Sequence, residues 1–138
     1  MNCVFCNIRD GLIPSVKVYE DDRTFAIMDI NPLNEGHLLV IPKTHAVTIH
    51  EIADEHLSQL VVVAKRIALA VEKALRPEGL NLLQANGPAA FQSVPHLHLH
   101  VIPRWIGDGR GFDWTLVKGD PESIRAAGQR IRAALAEV

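Results

Sequence analysis

The chain has 138 residues, of which 48% are hydrophobic and 22% charged, enough for one domain (residues 1–138) with a sizeable core. A formal net charge of -2 gives no electrostatic case for a nucleic-acid or membrane surface. No stretch approaches the ~20 apolar residues of a membrane span and the start lacks a basic-then-apolar leader, so the expectation is a cytoplasmic protein.

Cys3-Val4-Phe5-Cys6 opens the chain, and these two cysteines are too few for a disulfide framework. On a short helix they share a face at i and i+3, so both sulfurs can point at one ion. A redox pair and two small buried residues are the competing readings, the first weakened because no βαβ pattern follows. Gly11 and Pro14 then break the chain.

Val16–Glu20 and Arg23–Asp29 read as a hairpin around Asp21-Asp22. After a loop containing Asn31-Pro32 and Asn34-Glu35-Gly36, the run from Gly36 to Ile41 is nearly all apolar and predicts a central strand covered on both faces. Asp29 and His37 stand at the rims of these strands, where loop caps and satisfied buried groups are the ordinary occupants. Asp54 is placed to cap a long helix reaching Leu75, ended by Pro77 and Gly79. Leu57, Leu60, Val61, Ala64, Ile67, Ala68, Val71 and Leu75 make one stripe at helical spacing. Val62, Val63 and Leu69 lie off it, which predicts that part of the helix faces another subunit.

Leu80–Asn86 reads as a fourth strand and His96–Pro103 as a fifth, joined by the loop Gly87–Val94. Gly107, Gly109 and Gly111 mark a flexible segment holding Asp108, Arg110 and Asp113 among Trp105, Phe112 and Trp114. It reads equally as a frame for a phosphate or base and as a tail packed on the surface. Asp120-Pro121-Glu122-Ser123 starts a C-terminal helix with capping aspartate, first-turn proline and a glutamate on the dipole. Ile124, Ile131 and Leu135 are expected to face inward. The order of elements is that of an α+β fold around an antiparallel sheet.

The chemistry centres on His96-Leu97-His98-Leu99-His100-Val101-Ile102, bounded by Pro95 and Pro103. Strict alternation sets three imidazoles on one face of a strand and Leu97, Leu99 and Val101 on the other. Such a row suits a catalytic metal, although successive imidazoles splay and no acidic helper lies nearby in sequence. It also suits anion binding, or nucleophilic catalysis in which the central His98 attacks between flanking donors, with Gln92 and Ser93 as polar contacts from the preceding loop.

The His-x-His-x-His row followed by apolar residues resembles the histidine-triad (HIT) family of nucleotidyl hydrolases and transferases. Phe25-Ala26-Ile27-Met28-Asp29-Ile30, Gly36 through Lys43, Asn86 and Gln92-Ser93-Val94 stand in the order that family shows, so the resemblance spans residues 3–105. It implies a five-stranded antiparallel sheet with a long central helix and a C-terminal helix, and a homodimer joining two such sheets. It further implies His98 as the nucleophile that forms a covalent nucleotidyl-histidine, later hydrolysed by water. His100 and His37 would bracket the phosphoryl oxygens, Gln92, Ser93 and Asn86 would contact or position the phosphate end, Asp29 would take the ribose hydroxyls, and Ile27, Ile30 and Leu38 would wall the base. The expected substrate is a purine nucleotide conjugate such as a nucleoside phosphoramidate, with a dinucleoside polyphosphate or a non-catalytic nucleotide-binding role as alternatives.

By the same resemblance, to the Hint-like or bacterial branch, the N-terminal segment (residues 1–11) holds a structural zinc through Cys3, Cys6, His45 and His96, with no organic cofactor. Two thiolates and two imidazoles make a closed tetrahedral site that leaves His98 and His100 for chemistry. The chain departs from the family at Phe91, where a glycine commonly lets a backbone amide approach the phosphate. Residues 104–138 form the C-terminal tail and helix.

Overall fold

Two strongly apolar runs, β2 (Thr24–Met28) and β3 (Leu38–Pro42), form the middle of a five-stranded antiparallel sheet in the computed structural model, which describes residues 2–112 and 116–138. With β1 (Lys17–Glu20), β4 (Gly79–Leu83) and β5 (Leu99–Arg104) the strand order is β1-β2-β3-β5-β4. Asp21 closes the β1–β2 turn by accepting from the backbone N–H groups of Arg23 and Thr24, both at 2.8 Å. Every neighbouring pair of strands is antiparallel. The expected α+β architecture is therefore present, and no helix among the described residues is long and apolar enough to cross a membrane.

Alternation along β2 and β3 sends side chains into two separate cores. Ala26, Leu38, Val40, Leu97 and Val101 face the long helix α2 (Asp54–Leu75), meeting Leu60, Val63, Ala64, Ile67 and Val71. Phe25, Ile27, Leu39 and Ile41 face the opposite way, onto the short helix α1 (Val4–Arg9) and its Cys3, Phe5, Cys6 and Ile8. A six-residue helix has too few hydrogen bonds to persist alone, so burial of Phe5 and Ile8, each contributing about 1.5–3 kcal/mol, fixes α1 to the sheet. Arg9 adds a clamp, donating from Nη1 to the Lys43 carbonyl at 2.7 Å.

Several sequence expectations are corrected. The fifth strand begins at Leu99, so of the three imidazoles only His100 lies in a ladder; the Leu97 N–H donates instead to the Ala46 carbonyl at 2.7 Å. At its other end the strand runs through Pro103 to Arg104: β3 pairs only with Leu99–Val101, so Pro103 faces no partner on that side, while β4 continues to pair with it on the other. β4 stops at Leu83, leaving Asn86 in the following loop. In α2, Ala53 rather than Asp54 is the capping residue, and the buried stripe is rotated so that Val63 points in and Val61 is half exposed.

The C-terminal helix α3 (Pro121–Leu135) forms where its capping signals place it, with the Asp120 carboxylate accepting from the Ser123 N–H at 3.0 Å. None of it is buried: Ile124, Ile131 and Leu135 are 62%, 68% and 66% exposed, so the expected inward face finds no partner among the described residues. Local signals suffice for the helix and say nothing of where it docks. Asp113 and Trp114 lie outside the described residues.

Candidate active site and metal centre

His98 is buried on the α1 side of the sheet. Its Nδ1 donates to the carbonyl of His96 at 2.7 Å, and because a carbonyl only accepts, the proton of the neutral ring is on Nδ1. Nε2 therefore keeps its lone pair. The Phe5 ring meets His98 edge-on, with centroids 5.0 Å apart at 79°. Burial pushes the His98 imidazole below its ordinary value, with the carbonyl bond and Asp29 opposing, so the ring is neutral at pH 7.

His37 and His100 extend the row by a chain of donors. The Leu33 N–H donates to His37 Nδ1 at 2.9 Å, which leaves the proton of neutral His37 on Nε2, and that atom donates to His100 Nδ1 at 2.9 Å. His100 then carries its own proton on Nε2. Burial, with His98 and His37 nearby, holds His100 down at about 4; burial also lowers His37, against the pull of Asp29. Asp29 Oδ2 is 3.4 Å from His37 Nε2, close enough for these three residues to resemble a metal cluster. The backbone N–H on His37 Nδ1 argues for a hydrogen-bonded chain instead, since a metal on Nε2 would displace the proton that chain needs.

A cleft of about 230 Å³ opens over this row, lined by Ile27, Asp29, Ile30, Ser93, His98 and His100 among others. Ile30 sits at its mouth, 89% exposed. Leu38, expected as a wall, instead faces α2; Leu39 on the other face lines the cleft, the one-residue alternation of a strand having moved the contact to its neighbour. Phe5 and Ile8 of α1 also line it, and sequence reading missed them by attending to the cysteines on either side of Phe5. Gln92 and Asn86 do not line it. Gln92 braces its own loop, accepting from the Gly87 N–H and donating to the Val47 carbonyl, both at 2.7 Å. Asn86 accepts from the Ile49 N–H at 2.7 Å and exchanges hydrogen bonds with Gln84. Phe91 takes the left-handed conformation a glycine would hold there (φ 63°) and is 92% exposed, at a backbone cost on the order of 1–2 kcal/mol.

Across α1 a second cluster forms. His96 Nε2 donates to the Pro42 carbonyl at 2.8 Å, so its Nδ1 lone pair points at Cys3 Sγ, 3.3 Å, and Cys6 Sγ, 3.6 Å. His45 Nδ1 is 3.4 Å from Cys6 Sγ and 3.1 Å from His96 Nδ1. A tetrahedral zinc with bonds of roughly 2.3 Å to sulfur and 2.0–2.1 Å to nitrogen requires edges of roughly 3.6 Å and 3.3 Å. The four residues fit that ion. Burial and the neighbouring Cys3 raise the Cys6 thiol, the expected cost of setting two sulfurs side by side without a cation.

A family model described as the HIT domain matches residues 10–105, and the chain belongs to the HIT family. It is 42% identical over 132 residues to the adenosine 5'-monophosphoramidase hnt1 of Schizosaccharomyces pombe, covering 95% of this chain and 96% of that one. The crystal structure of a HIT-family member from Bacillus subtilis superposes with a TM-score of 0.86 at 42% identity, covering 99% of this chain and 96% of that one. A zinc-bound histidine-triad protein from Mycobacterium smegmatis matches with a TM-score of 0.77 at 42% identity, over 99% and 95% of the two chains.

Proposed function

We propose that this HIT-family enzyme is a nucleotidyl hydrolase that transfers adenylate from a nucleoside phosphoramidate to water through His98. The observation that carries the reading is the single free lone pair of His98, held on Nε2 by the bond from Nδ1 to the His96 carbonyl and facing a cleft that also holds Asp29 and His100. Nε2 attacks the α-phosphorus, a nitrogen–phosphorus bond forms, and the bond from phosphorus to the amine breaks, the amine leaving with a proton drawn from solvent that is returned when water attacks in the second step. Water then attacks phosphorus, the histidine–phosphorus bond breaks, and the nucleoside monophosphate departs. His100, with its proton on Nε2, donates to the phosphoryl oxygens where negative charge grows, and His37 behind it acts by donating to His100 Nδ1, which keeps that proton aimed outward rather than bracketing the oxygens itself. Asp29 accepts from the ribose hydroxyls, Ser93 contacts the phosphate end, and Ile27 and Ile30 flank the base. Gln92 and Asn86 act by shaping the phosphate loop.

Cys3, Cys6, His45 and His96 would hold a zinc ion, a closed four-ligand site that ties α1 to the sheet and supplies no reaction step. His96 is held for this by the Pro42 carbonyl behind it, the usual arrangement for a metal-ligating imidazole. As the resemblance implies, the protein works as a homodimer.

The test is mass spectrometry of protein mixed with a slow adenylate donor, alongside rates on adenosine phosphoramidate, diadenosine triphosphate and diadenosine tetraphosphate. An adenylyl adduct on His98 that is absent in His98→Gly, with fastest turnover of the phosphoramidate, is expected. Nucleotide binding without adduct or product would make the protein a binding module, and faster turnover of the dinucleotides would change the substrate class. Because burial lowers His98, the acid limb of kcat/KM should lie below the pH at which an ordinary imidazole gains a proton, activity being lost there as the nucleophile is protonated.

A further inference from the structure

The segment after β5 carries a part-buried carboxylate that the proposed chemistry does not use. Asp108 accepts from Arg104 Nε at 2.9 Å and Nη2 at 3.0 Å, and from the N–H groups of Trp105 and Arg110 at 3.1 and 3.0 Å. Its side chain is 11% exposed, and these donors hold its carboxyl far below the usual carboxylate range. Such a knot would need no further partner merely to close a turn. Yet Asp108 Oδ2 also accepts from Asn34 Nδ2 at 2.8 Å, across 74 residues of sequence, and the same amide donates to the Pro103 carbonyl at 3.0 Å.

Asn34 belongs to the short loop between Asp29 and His37. The Asn34 carbonyl accepts the His37 N–H at 3.1 Å, and the adjoining Leu33 N–H is the group that donates to His37 Nδ1. Gly36 seats the loop against its surroundings: it has φ +83°, and a Cβ there would run into Leu75 of α2 and Pro103 of β5. A continuous path thus leads from Asp108 through Asn34 and Leu33 to His37, and from His37 to His100 and Asp29.

We infer that Asp108 is a positioning residue: through Asn34 it holds the loop that fixes which nitrogen of His37 carries the proton, and so the direction in which His37 donates to His100. With Leu33 N–H in place, His37 Nδ1 only accepts and Nε2 only donates. With the loop released, Nδ1 can take the proton and the His37–His100 bond loses its polarity. The same release frees Asp29, whose Oδ1 accepts from the Asn31 N–H at 2.8 Å in that loop. The catalytic consequence rests on the function proposed above; the effect on the His37 ring does not.

Nitrogen-15 spectra of the histidine rings in the full-length protein read the His37 tautomer directly, and Asn34→Ala and Asp108→Asn are the variants. In the parent protein His37 should be a single Nε2-protonated form. In each variant it should become a tautomer mixture while the fold is retained, and kcat/KM on adenosine phosphoramidate should fall about ten-fold. The double variant should be no worse than either single one, because both act along one path. An unchanged His37 ring in either folded variant, or losses that multiply in the double variant, would overturn the inference. Should the parent bind no AMP and turn over no nucleotide, the proposed function fails, and the His37 spectra still decide this assignment.

Discussion

The two terminal helices are opposites. α1 has six residues, a cysteine as its cap and no acidic residue in its first turn, yet it is buried through Phe5, Cys6 and Ile8. α3 has fifteen residues, a hydrogen-bonding aspartate cap, proline at its start and glutamate in its first turn, yet buries nothing. Local propensity made the second helix and tertiary contacts made the first. The helix that was hardest to hold by itself is the one that meets the proposed nucleophile.

That contrast can be broken at α1 with large effect. Cys3→Ser with Cys6→Ser should abolish the zinc binding proposed above, measured as metal content per chain, and lower Tm by roughly 10–15 °C. Zinc-free parent protein of unchanged Tm would show that the thiols only pack. Phe5→Ala should cost about 3 kcal/mol in denaturant unfolding, since it empties a site 5% exposed that meets His98 edge-on and lines the cleft. It should also raise KM for adenylate donors more than it lowers kcat. At the other end, deleting residues 120–138 should shift the unfolding of the remaining body by less than about 0.5 kcal/mol in dilute protein. A loss as large as that of Phe5→Ala would mean that α3 packs on another surface.

Much of the fold was legible because the signals were redundant. β3 is apolar on both faces and buried on both, and α2 has both its helical spacing and the stop at Pro77 and Gly79. The His98 region was legible from alternation, although Pro95 and the bond from Leu97 N–H to Ala46 keep His96 and His98 out of the ladder. What escaped was rotational and long-range. A one-residue shift of face separates Leu38 from Leu39, and a similar rotation exchanges Val61 for Val63, differences that periodicity with no exact endpoint cannot fix. The Asp108–Asn34 bond joins two loops whose sequences contain only turn residues, so no local pattern announces it.

His96 faces two ways: its ring reaches Cys3, 93 residues earlier, while its carbonyl holds the proton of His98. Drawing those ends together costs chain entropy of ~4 kcal/mol, which the first turn of the protein cannot recover until the last strand has been made. During synthesis α1 can find β2 and β3 early, whereas a fragment halted before the histidine row would carry a thiol pair with its nitrogen partner from that row still to come.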